Sequence, residues 1–311
     1  MVSRAPRFTT PLIFLGVAVL SFAVCFAISA AITSDNNESA PENTELTPNE
    51  EPPETKKPNF IDLQPTLDEW LSTTSGTKSV IIYDLDNDRV AAEYQPDQTF
   101  STASLYKLFP VYLGYTEVEK GGLDPNTKLA SGYTVSGCLD LAIRESNSTC
   151  AEGLIQILGP QAVQQAAEEW GTKNTNIHSL QSTPADIVKV LQKYYTHPEL
   201  SNETYNKILD SMLNQPATTS DLCDGYCDWR QGLPKGFTDN STKVYNKVGW
   251  DYNPEGYWNL YNDAAIVEIA SDLQDTPHHY AIVVMTSHIN PNKIAALGAK
   301  IEQKVLDFAH D

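Results

Sequence analysis

The sequence predicts an α+β fold: a five-stranded antiparallel sheet flanked by helices, an inserted all-helical lobe, and one N-terminal transmembrane helix before both. Three observations predict it. Strand-like segments stand at both ends of the globular part, helical periodicity fills its middle, and an unbroken apolar run follows two arginines at the N-terminus.

The elements follow in order. Arg4 and Arg7 precede an apolar stretch from Pro11 to about Ile32. About 20 such residues cross a bilayer as a helix, and positive charge before the span predicts a cytoplasmic N-terminus. No small-x-small cleavage site follows, so residues 1–33 read as an uncleaved anchor, with a cleaved signal segment and a secreted product as the alternative. Cys25 lies inside the span, but Val24 before it is bulky for lipid processing. The expected location is therefore the cell membrane, single-pass, with the C-terminal domain extracytoplasmic. Residues 34–58 include Asp35-Asn-Asn-Glu-Ser-Ala-Pro-Glu-Asn and Pro48-Asn-Glu-Glu-Pro-Pro-Glu. They have no apolar period, cannot offset their chain entropy by burial, and read as a disordered acidic tether.

Residues 59–311 suit one large domain. Ser79–Leu85 and Arg89–Tyr94 alternate as strands around the turn Asp86-Asn87-Asp88. A helix is expected from Ser104, with Leu105, Leu108, Phe109, Tyr112 and Leu113 at helical spacing. Further helices are expected over Cys150–Leu158, Gln161–Trp170, Pro184–Tyr195 and Glu203–Leu213. Thr183-Pro184-Ala185-Asp186 carries a cap, a first-turn proline and an acid, which together mark a helix start. Strand character returns at Lys243–Val248, Ala264–Ala270 and Tyr280–Thr286. Asn290-Pro291 then opens a last helix with Ile294, Leu297, Ile301, Val305 and Phe308 on one face. Two strands early and three late close most simply as one sheet, with the helical middle as a second lobe and a cleft between them.

The net charge is −19, and no basic patch offsets it, which excludes nucleic acid as a partner. Cys138, Cys150, Cys223 and Cys227 lie beyond the apolar span. An even number in an exported domain points to disulfides, nearest neighbours pairing; a zinc site is the alternative, unsupported by any His-Cys spacing. The six histidines form no His-x-x-x-His or His-Glu-x-x-His, and no Gly-x-Ser-x-Gly elbow exists. A histidine triad, a metal and a cofactor are therefore not expected. Sequons at Asn37, Asn147, Asn202 and Asn240 read as chance matches. A monomer is expected.

The chemistry starts at Ser104-Leu105-Tyr106-Lys107. Residues three apart share a helix face, so the amine can reach the hydroxyl. A serine becomes a nucleophile when a neighbour takes its proton, and a lysine does so when its pKa is pulled down. The bland reading is an N-cap serine beside a solvated lysine. Ser75-Gly-Thr-Lys78 repeats the spacing, but in a Gly/Thr-rich turn, and reads as loop chemistry. Ser146-Asn147-Ser148 lies between two expected helices, and Lys247-Val248-Gly249-Trp250 ends the first returning strand. Singly, these read as a helix cap and an edge charge.

In this order the three motifs resemble the penicillin-recognising serine enzymes, most closely the class A β-lactamase group, with its Ser-x-x-Lys, Ser-Asp-Asn and Lys-Thr-Gly. Tyr83-Asp-Leu-Asp, Phe100–Leu108, Ser182-Thr-Pro-Ala-Asp-Ile and Gln231-Gly-Leu-Pro-Lys-Gly extend the resemblance over most of 60–311. It implies that Ser104 attacks a carbonyl carbon, Lys107 takes its proton, and Ser146 relays a proton to the leaving nitrogen. Lys247 would keep Lys107 neutral by repulsion, and the backbone N–H groups of Ser104 and Trp250 would form the oxyanion hole. Ser148, Val248 and Gly249 would contact substrate, which would be a β-lactam or a peptidoglycan stem peptide.

Four departures stand out. Asn147 replaces an aspartate, Ser148 replaces an asparagine, Val248 replaces a hydroxyl residue, and Gly171–Ser182 holds no Glu or Asp where class A enzymes carry a deacylating glutamate. Slow deacylation is expected. The alternative is a weak or inactive protein of the same fold that binds peptidoglycan or another ligand. The aromatics Trp250, Tyr252, Tyr257, Trp258 and Tyr261 read as strand packing, or alternatively as a substrate wall.

Overall fold

Strands from both ends of the chain pair into one antiparallel sheet, as the apolar patterning predicts. The computed structural model describes residues 58–310 apart from 214, 216, 219–226, 254, 256 and 271–275. The apolar span, nearly all of the acidic tether and the expected Cys223–Cys227 bridge lie outside the described residues. Among the described residues no helix is long and apolar enough to cross a membrane.

The elements run α1 (Gln64–Thr73), β1 (Thr77–Asp84), β2 (Arg89–Tyr94), β3 (Phe100–Ser101), a 3₁₀ turn (Ala103–Lys107), α2 (Leu108–Glu119), α3 (Val135–Arg144), α4 (Ser148–Leu158) and α5 (Pro160–Glu169). Then come β4 (Gln181–Ser182), α6 (Pro184–Thr196), α7 (Asn202–Leu213), β5 (Ala217–Thr218), β6 (Cys227–Asp228), α8 (Leu233–Gly236), β7 (Lys243–Asn253), β8 (Tyr257–Ile269), β9 (His278–Ser287) and α9 (Pro291–His310). The main sheet has the order β2-β1-β9-β8-β7, and β3–β4 and β5–β6 form small pairs.

Both faces of the sheet are covered, which is why its strands read as unbroken apolar runs rather than as alternations. Val80, Ile82, Val267, Ile282 and Val284 point to one face, where they meet Leu67 and Trp70 of α1 and Ile294, Leu297 and Ile301 of α9. Their sequence neighbours Ile81, Ile266, Ala281, Val283 and Met285 point the other way, as a two-residue strand period requires. There they join Ile187, Val190 and Leu191 of α6 and a core that continues through Phe109, Tyr112, Leu139, Leu154 and Val163. The helical lobe is thus built on one face of the sheet and shares its core.

Three helices fall outside the expected spans: α1, α3 and the four-residue α8. In α1 only Leu67 and Trp70 are buried, too thin a stripe to stand out, and the Trp70 indole N–H donates to the Lys293 carbonyl at 2.7 Å. Helix α3 starts at Thr134, whose hydroxyl accepts from Gly137 N at 3.1 Å. Thr183 caps α6 as expected, accepting from Asp186 N at 3.2 Å. Cys138 and Cys150 form a disulfide, joining α3 to α4 across the turn that holds Ser146. Strands β7 and β8 run well past their expected ends, because the aromatic segment pairs with itself, Trp250 opposite Tyr261.

Candidate active site

Ser104 opens neither an α-helix nor a cap. It sits inside the 3₁₀ turn Ala103–Lys107, whose N-cap is Thr102. A 3₁₀ turn has three residues per turn, so side chains three apart lie directly over one another. The tighter helix therefore aligns Ser104 with Lys107 better than the expected α-helix would. Lys107 Nζ donates to Ser104 Oγ at 2.7 Å. Lys107 is fully buried, which removes the solvated-lysine reading. At the decoy motif, Lys78 instead donates to the backbone carbonyls of Thr74 and Gly76.

Five side chains drawn from more than a hundred residues of sequence meet here. Lys107 Nζ also donates to Ser146 O at 2.6 Å, to Ser146 Oγ at 3.2 Å and to Ser148 Oγ at 3.1 Å. Lys247 Nζ donates to the same Ser146 Oγ at 2.8 Å and to the Val248 carbonyl at 2.9 Å. One hydroxyl thus bridges two buried amines. Ser148, expected beside substrate, sits against Lys107.

The backbone is strained where these groups are presented. Ala103 (φ 41°), Ser146 (φ 54°) and Leu180 (φ 51°) all hold left-handed conformations unusual for residues with a Cβ. Leu180 is tied to the segment before Ser104: its carbonyl accepts from Thr102 N at 2.8 Å. Asn262, fully buried on β8, donates to the Ser101 carbonyl at 2.8 Å and accepts from Thr286 N. Strain of this kind persists where surrounding contacts over-determine it.

Gly249 lets β7 approach Ser104. A Cβ there would overlap the Thr102 carbonyl and lie 2.8 Å from Ser104 N. The glycine thus places an edge strand against the backbone N–H of Ser104, with Trp250 next along it. Val248, expected to face substrate, is instead fully buried and packs in the α1/α9-side core. Strand alternation explains the difference: Lys247 points to one face, so Val248 points to the other. Trp250 follows the same alternation and packs its ring between Trp229 (centroids 5.5 Å apart) and Trp258 (5.8 Å). Tyr261 is fully buried in that core. Trp250 and Tyr261 are thus strand packing, whereas Tyr252, Tyr257 and Trp258 line a surface cavity beside His288.

Both amines are held below the usual lysine range. Burial brings Lys107 down to about 8, against an opposing pull from the Glu152 carboxylate. Lys247 falls further, through burial first and the neighbouring Lys107 charge second. Desolvation is the leading cause at both amines, and the repulsion expected between them adds to it at Lys247. A pKa near 8 leaves about one lysine in ten neutral at pH 7, against roughly one in three thousand at the ordinary value. Such an amine can accept a proton from Ser104. Asp263, beside Val248 in the β7–β8 register, is pushed up to about 7 by burial, and its carboxyl accepts from Leu233 N and Asn246 Nδ2.

The segment 171–182 is fastened from its own side. Asp186 accepts from Lys173 N, Asn174 N and Thr175 Oγ1 at 2.7–2.9 Å, and Gln164 bonds Ile177 N and the Thr175 carbonyl. Asp186 is therefore spent on holding the loop. Sequence reasoning missed Asn262, Asp263 and Glu152. The adjacent polar pair Asn262-Asp263 in an otherwise apolar strand was a usable signal. Among the described residues no cluster of side chains could hold a metal ion.

The sequence profile of the beta-lactamase enzyme family matches residues 62–309. No curated protein matches the chain in sequence. Among solved structures, the TLA-1 extended-spectrum beta-lactamase superposes with a TM-score of 0.65 at 17% identity, over 80% of this chain and 100% of that one. A class A beta-lactamase from Bacteroides cellulosilyticus DSM 14838 gives 0.63 at 20% identity, over 81% and 100%. PBP-A gives 0.64 at 18%, over 80% and 99%. These likenesses are to the fold. With the family profile covering most of the sequence, the chain belongs to the beta-lactamase enzyme family.

Proposed function

We propose that this protein is an acyl-serine hydrolase acting on a β-lactam or on a cell-wall peptide amide. The observation that carries the reading is the 2.7 Å contact between Ser104 Oγ and a buried Lys107 amine. Ser104 Oγ attacks the carbonyl carbon as its proton passes to neutral Lys107. The C–N bond then breaks, and Ser146 passes a proton to the leaving nitrogen, with the Lys247 amine hydrogen-bonded to the Ser146 hydroxyl at 2.8 Å. The oxyanion forms against the Ser104 and Trp250 N–H groups, where preorganised donors are most effective. Water releases the acyl group slowly, because segment 171–182 brings no carboxylate of its own. We further propose that the domain stands outside the cytoplasm as a monomer on its N-terminal membrane anchor.

Intact-mass measurement tests this. The protein is treated with benzylpenicillin beside Ser104→Ala. The expected result is an adduct of the mass of the intact β-lactam on the parent and none on the variant. No adduct on either supports a ligand-binding protein that has kept the fold and lost the chemistry.

A further inference from the structure

Glu152 lies four residues beyond Ser148 on α4, so the two share a helix face. Ser148 Oγ is 3.1 Å from Lys107 Nζ. Glu152 also lines a groove of about 880 Å³ together with Tyr106, the residue before Lys107, and Leu180, whose carbonyl holds Thr102. The groove therefore reaches the 3₁₀ turn that carries Ser104 through Tyr106, and the segment before that turn through Leu180. Its other acid, Glu168, accepts from Gln164 Nε2 at 3.0 Å. The Glu152 carboxylate has no hydrogen-bond or ion-pair partner among the described residues. Burial raises the Tyr106 hydroxyl and lowers the Lys107 amine, and the Glu152 charge adds to the first shift and opposes the second.

We propose that Glu152 is the base for deacylation, supplied from helix α4 in place of the acid that segment 171–182 lacks. The inference rests on the acyl-serine reading above. A water in the groove gives one proton to the Glu152 carboxylate, and its oxygen bonds to the carbonyl carbon of the Ser104 ester. The ester C–Oγ bond breaks, the product leaves as a carboxylic acid, and Ser104 Oγ regains a proton equivalent to the one Glu152 took up. No group is oxidised or reduced.

The full chain, in detergent, is acylated with benzylpenicillin, and adduct formation and decay are timed separately by intact mass. Glu152→Gln keeps the shape and removes the base at an exposed position. Its adduct should form within about threefold of the parental rate and persist about 100-fold longer, the usual worth of a general base. Hydroxylamine, a nucleophile that needs no base, should then clear the adduct from parent and variant at equal rates. Equal lifetimes in water for parent and variant overturn the inference. So does a variant adduct that also resists hydroxylamine, which would signal a blocked groove. No adduct on the parent removes the acyl-serine reading, and this inference with it.

Discussion

The two faces of strand β7 do opposite jobs. One face carries Val244 and Val248 into the core on the α8 side, with Asn246 buried between them and bonded to Asp263. The other presents Lys247 to Ser146 and lies beside the 3₁₀ turn of Ser104. The first face gains free energy from burial, at about 25 cal/mol per Å² of apolar area. The second buries two amines, which costs free energy unless they neutralise or find partners. Stability and chemistry are thus divided across the thickness of one strand, and the apolar face allows the polar one to stay strained. A protein net stability of about 5–15 kcal/mol leaves little room for the second without the first.

Substitutions on each face should separate the two roles. Lys107→Met keeps the stem and removes the base; adduct formation should fall by roughly 10³-fold, in the range general base removal causes, with little change in the unfolding midpoint. Trp70→Ala, behind the sheet, should do the reverse. It should lose about 3–5 kcal/mol in denaturant titration, while protein that remains folded acylates at the parental rate. A large acylation defect in Trp70→Ala would break the division. Replacing both Cys138 and Cys150 by alanine should cost about 3 kcal/mol from the loop-closure term, and should also slow acylation because the bridge spans the Ser146 turn.

Gly249→Ala tests the edge between the faces. The new methyl meets the Thr102 carbonyl and Ser104 N, so β7 must retreat from the nucleophile. Adduct formation should drop about 100-fold, as on loss of an oxyanion donor, with stability less affected. The smallest effect is that of pH. Acylation needs neutral Lys107, so its rate should rise about tenfold per unit below pH 8 and level off above it. The same shift has a stability signature. From about pH 8 to the ordinary lysine value the unfolded chain holds a proton that the folded chain has released, so stability rises with pH across that window. A flat rate profile from pH 6 to 9 would remove Lys107 as the base.

Much of this was legible in the chain itself. The five strands, the apolar stripe of α9 and the cap at Thr183 follow from local periodicity and cap chemistry, which depend on neighbours in sequence. Helix α1 was not legible, because two buried residues make no period. The motifs at 104–107, 146–148 and 247–250 were visible as patterns, yet Val248 was placed on the wrong side. A strand's alternation is known from sequence, but which side faces a cleft depends on what packs there.

The amino-acid order alone therefore determined the elements, the Ser104–Lys107 spacing and the family likeness. The folded chain decided that Ser146 bridges two amines, that desolvation more than repulsion depresses Lys107, and that Glu152 faces the groove. The reason is physical: periodicity and capping are short-range, whereas burial and the meeting of distant side chains are set when β7 closes against the 3₁₀ turn.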